Sequence, residues 1–120
     1  MLLYDFGSKE RLIVEREIDF RGAPADAIAA VWEWVTAEER EPFMRLFFET
    51  YVGALGRPAA ARPLVGDWVE FLGRPGSGVE AATATLFIAV VRGLLLDRLA
   101  ADDPERTDRA LERFAELLAR

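Results

Sequence analysis

Apolar residues recur at helical spacing along most of this chain, and glycine and proline breaks separate one run from the next. Leu12, Ile13 and Ile18, with Phe20 near the end, make a thin stripe in a helix predicted from Ser8 to about Arg21. The Ser8 hydroxyl can accept from an orphan backbone N–H there, and Glu10 complements the positive end of the dipole. Gly22-Ala23-Pro24 ends that run. Pro24 can open the next helix, because its missing N–H would be unpaired in a first turn anyway. Ile28, Val31, Trp32 and Val35 then share one face.

A third helix is predicted from about Pro42. Phe43, Leu46, Phe47, Thr50, Tyr51 and Ala54 follow one row, while Met44, Phe48, Val52 and Leu55 fill the neighbouring face. So wide an apolar sector suits a helix that touches several neighbours. Gly56-Arg57-Pro58 closes it. Leu64, Val65, Trp68, Phe71 and Leu72 are in phase over a fourth helix, residues 59 to 72, before the loop GRPGSG at 73 to 78. The longest and most apolar helix is predicted over residues 79 to 101. Asp103 and Pro104 then stand as cap and first residue of a last helix carrying Leu111, Phe114, Ala115 and Leu118 on one side. No segment alternates as a strand beside a hairpin turn, so the expected fold class is all-α.

Composition narrows the chemistry. The 120 residues suit one domain, and 52% hydrophobic with 30% charged is the balance of a globular chain. With no cysteine and no histidine, the usual thiolate nucleophile, general base and metal ligand are missing, so no catalytic residue, cofactor or metal site is expected and the chain reads as a non-enzyme. A net charge of -6 restricts any nucleic-acid contact to a local patch. The apolar run from Ala81 to Val91 is interrupted by Arg92, well short of the ~20 residues of a membrane span. The first residues lack a secretion-signal pattern, which makes the cytoplasm the expected compartment.

The stretch LLYDFGSKERL, residues 2 to 12, resembles the close of the recognition helix in the tetracycline-repressor (TetR/AcrR) family. Tyr4, Phe6, Ser8, Lys9, Glu10 and Leu12 match that family's pattern. VWEWV at 31 to 35, RLFFETY at 45 to 51, VVRGLLLDRLA at 90 to 100 and RTDRALERFAELL at 106 to 118 are also similar to small-ligand members. The resemblance implies a DNA-reading trihelical unit joined to a TetR-like helical domain that binds an effector and dimerises. Residues 1 to 7 would then be a remnant of the recognition helix and 8 to 120 the effector-binding and dimerisation body. A recognition helix reads bases only when a supporting helix holds it in the major groove, so operator binding is expected only with a complete helix-turn-helix.

Tyr4 and Lys9, the sole lysine, match positions that contact the DNA backbone in the family, although Asp5 stands where relatives commonly carry histidine. A helix N-terminus beside Lys9 is a natural place for phosphate. The plain alternative is a capped helix start with Phe6 packed on Leu12.

The resemblance places the ligand between helices of the larger domain. The candidate lining is Trp34, Phe47, Tyr51, Trp68, Phe71 and Phe87, with Thr50 and Thr83 as polar partners, for a small apolar or aromatic effector. Each aromatic taken singly is an ordinary core residue as well. Arg92 must reach solvent, pair with a carboxylate or meet an anionic ligand, and pairing or solvent is the commoner outcome. The carboxylates Asp102, Asp103, Glu105 and Asp108 are explained by capping and solvation, as are Glu38, Glu39 and Glu41.

The greasy helix from Val79 is hard for so small a chain to enclose, and in the family the last two helices form the dimer interface. A homodimer through residues 79 to 120 is expected. Two competing expectations are a stand-alone dimeric small-molecule binding module and an interaction partner that makes inactive heterodimers.

Overall fold

The computed structural model describes residues 23–62, 70 and 79–120. Every regular element among them is helical: α1 (Pro24–Val35), a 3-10 turn (Glu38–Arg40), α2 (Glu41–Gly53), the short α3 (Pro58–Ala61), α4 (Ala81–Ala100) and α5 (Pro104–Leu118). The all-α expectation holds for these residues. The helix expected over 8 to 21 and most of the one expected over 59 to 72 lie outside them.

Local chemistry sets the ends. Proline occupies the first turn of α1, α2, α3 and α5, where no N–H is needed. The Asp103 carboxylate accepts from the Arg106 backbone N–H at 3.3 Å and caps α5 as its spacing predicts. Beyond α2, Gly56 takes φ +78°, a left-handed conformation open to glycine without a Cβ clash, and the Arg57 side chain donates back to the Gly53 carbonyl. At the end of α1, the Thr36 backbone N–H and hydroxyl both donate to the Trp32 carbonyl, at 3.0 and 2.7 Å.

The core lies where α1, α4 and α5 meet, with α2 packed against α4. Ile28 and Trp32 of α1, Phe87, Val91 and Leu95 of α4, and Leu111 of α5 are buried in it, and Met44 and Phe48 join from α2. Leu111 leads the α5 face, with Phe114, Ala115 and Leu118 half-buried beside it, as the spacing predicts. Thr107 is fully buried yet satisfied, its hydroxyl donating to the Pro104 carbonyl at 2.9 Å.

Candidate functional site

Arg45, Phe48, Glu49 and Val52 fall at i, i+3, i+4 and i+7 on α2, so they form one wall. Leu96, Leu99 and Ala100 of α4 form the other, and between the two walls runs an open groove of about 520 Å³. That volume is within the range of small-ligand clefts, roughly 300 to 1,000 Å³. Phe48, Val52, Leu96 and Leu99 supply its apolar surface, and Arg45 and Glu49 add charge to the α2 wall. Arg45 joins the two helices at one end: its guanidinium donates to the Leu99 carbonyl at 3.4 Å and lies 3.6 Å from the Glu41 carboxylate.

Beside this groove stand Tyr51, on the face of α2 next to Phe48, and Arg92, one turn before Leu96 on α4. The Arg92 guanidinium carbon lies 5.3 Å from the centre of the Tyr51 ring. Phe47 meets Phe48 edge-on at 5.4 Å and 86°, and stacks against Tyr51 at 6.3 Å and 22°. These rings order the α2 side and hold the cation by its attraction to an aromatic face. Among the described residues, no carboxylate is within ion-pair reach of Arg92. Of the three fates open to this half-buried side chain, pairing with a carboxylate is thus not the one seen. A cation–π contact with Tyr51, which the spacing did not suggest, takes its place.

A second polar constellation ties α1, α4 and α5. The Trp32 indole N–H and an Arg98 N–H both donate to the same Asp108 oxygen, each at 2.8 Å. Arg98 also donates to the Pro104 carbonyl at 3.2 Å. Asp108 therefore joins three helices, a correction to its reading as a solvated carboxylate near a helix start. Its neighbour Asp103 does cap. Among the described residues, no group of three or more acidic side chains converges as a metal ligand set, and no helix is long and apolar enough to cross a membrane.

The residues expected to line a pocket are dispersed. Trp34 is buried, with the Arg40 guanidinium 4.2 Å from its ring centre and donating to its carbonyl at 3.2 Å. Phe87 is in the core. Phe47, Thr50, Tyr51 and Thr83 are half-buried, with Phe47 and Tyr51 beside the groove's Phe48 wall rather than lining the groove. Trp68, Phe71, Tyr4 and Lys9 lie outside the described residues. The groove residues Phe48 and Val52 belong to what the sequence showed only as the neighbouring face of α2. The pairing of that face with Leu96 and Leu99 left no local signal.

The outer face of α4 is the other feature of note. Ala82, Leu86, Ala89, Gly93, Leu96 and Ala100 alternate in steps of four and three along it. Ala89 is half-buried and the rest are exposed, Leu86 by 52% and Leu96 by 47%. A Cβ added at Gly93 would meet nothing within 4 Å. No charged residue interrupts the row. No family model, curated protein or solved structure matches the chain.

Proposed function

We propose that the chain is the effector-binding and self-pairing body of a ligand-responsive transcriptional regulator of the tetracycline-repressor type. The reading joins the resemblance of residues 2 to 12, 31 to 35, 45 to 51, 90 to 100 and 106 to 118 to one observation that carries it, the uncharged outer face of α4. A helix of that length runs about 30 Å, and two leucines flanked by alanines and a glycine along it let a second helix approach closely. Steps of four and three are the spacing at which paired helices interlock side chains. A solvent-facing helix normally places charge there, so an uncharged row favours a second copy as its cover.

On this reading the groove between α2 and α4 is the effector site. It shares Leu96 and Ala100 with the outer face of α4, so ligand and pairing act on the same side chains. DNA is contacted only when a complete helix-turn-helix is carried on this body, and effector binding works by favouring one arrangement of the pair over another.

Sedimentation equilibrium of the purified chain tests the pairing: a concentration-dependent dimer is expected. A folded chain that stays monomeric at high concentration would overturn the reading.

A further inference from the structure

We infer that the groove takes an amphipathic carboxylate, a straight-chain acyl anion whose tail lies along Phe48, Val52, Leu96 and Leu99 and whose head meets the Arg92 guanidinium. This rests on the reading of the groove as the effector site and goes further by fixing the polarity and charge of what it holds.

The two ends of the groove differ in unsatisfied charge. At the Ala100 end, Arg45 already has the Glu41 carboxylate and the Leu99 carbonyl. An anionic head placed there meets a cation whose charge is already shared with a carboxylate. Towards the other end, Arg92 is half-buried with its guanidinium carbon 5.3 Å from the centre of the Tyr51 ring. It meets no carboxylate among the described residues.

Attraction to an aromatic ring uses none of the guanidinium's N–H donors, Arg92 gives none of them to a described residue, and a carboxylate matches the guanidinium fork with two parallel hydrogen bonds. Arg92 stands one turn before Leu96 on the same side of α4, next to the residues that line the groove and within reach of a head group extending past Leu96. The rise from Arg92 to Ala100 is about 12 Å, room for a tail of roughly ten carbons.

The test is a calorimetric titration of the whole chain with sodium decanoate and, separately, with decanol, which has the same tail and no charge. Decanoate is expected to bind about tenfold or more tightly than decanol, since charge-assisted bonds to a partly buried guanidinium are the stronger kind. Arg92→Gln should erase that preference and leave decanol binding as it was, while Arg92→Lys should keep part of it. Val52→Asp, an exposed change on the groove wall, should weaken both ligands.

Equal affinity for decanoate and decanol in the unsubstituted chain overturns the inference and leaves the apolar effector site standing. So does a preference that survives Arg92→Gln. Binding of neither ligand removes both the inference and the groove as an effector site. The pairing of chains is measured apart, by sedimentation.

Discussion

Helices α4 and α5 pack against each other, yet they turn opposite chemistries to solvent. The outer side of α5 carries Glu105, Arg106, Arg109, Glu112, Arg113 and Glu116, all exposed. Ion pairs run along it, from Arg109 to Glu105 and from Arg113 to Glu116, and Arg106 reaches Asp97 on α4. The outer side of α4 carries no charge at all between Ala82 and Ala100 on the row through Leu86, Gly93 and Leu96. A helix such as α5 is complete once its inner face is buried, because water satisfies the rest. One such as α4 leaves apolar area in water at roughly 25 cal/mol per Å², and covering it is a driving force for association.

The contrast can be broken at its strongest point first. If α5 is held by its inner face, Leu111→Ala, at a position 3% exposed, should cost about 2–5 kcal/mol of unfolding free energy in a urea titration. Arg109→Ala, on the outer face, should change the same titration by under about 1 kcal/mol. A large loss at Arg109 would mean that the charged side is also covered.

On α4 the double change Leu86→Asp with Leu96→Asp places two carboxylates on the uncharged row. It should weaken dimerisation by about 2 kcal/mol or more, roughly thirtyfold, in sedimentation, with helical circular dichroism retained. Unchanged association would move the interface elsewhere and leave the α4 row without its proposed cover.

The junction between the two helices offers an intermediate effect. Asp108→Ala strands the Trp32 indole N–H and an Arg98 N–H at once, and about 1–3 kcal/mol of stability should go. Trp32→Phe removes one donor and keeps most of the ring, for roughly 0.5–1.5 kcal/mol by the same denaturant measurement. A larger loss from Trp32→Phe than from Asp108→Ala would show that ring packing, not the shared carboxylate, joins the helices.

The smallest effect is that of the bridge between Asp97 and Arg106. The Arg106 hydrogen bond holds the Asp97 carboxyl below its ordinary value, with desolvation opposing and the Arg106 charge adding to the shift. A carboxylate lowered in the folded state stabilises it above the unfolded value, and the contribution fades as pH falls through the folded one. Asp97→Asn should therefore flatten slightly the acid side of a melting-temperature profile and do nothing near neutrality beyond the loss of the pair. Because the pair lies in solvent, salt should shrink the difference. An effect that grows with salt would contradict a simple ion pair.

Much of the fold is legible in the residues themselves. Pro24 opens α1, Asp103 and Pro104 open α5, and Gly56 closes the stretch after α2, because caps, fixed φ and left-handed turns are decided within a few residues. Leu111, Phe114, Ala115 and Leu118 mark the inner face of α5 because charge fills the other side. The candidate site was less legible. Arg92 announces itself as a cation in a greasy run, but its contact with the Tyr51 ring depends on two helices far apart in sequence being brought together. The Asp108 carboxylate receives a donor 76 residues away, and nothing near it in sequence points to Trp32.

For α4 the limit is sharper. Apolar residues surround it almost evenly, so periodicity gives its existence and length but no phase. Only the placement of α1, α2 and α5 against it decides that Ala84, Phe87, Val91 and Leu95 turn inward while Leu86, Gly93 and Leu96 are left to water. Local propensity and capping thus determined where helices begin and end. Which face of the longest one is inside was decided by packing, since a uniformly apolar cylinder carries no direction until its neighbours supply one.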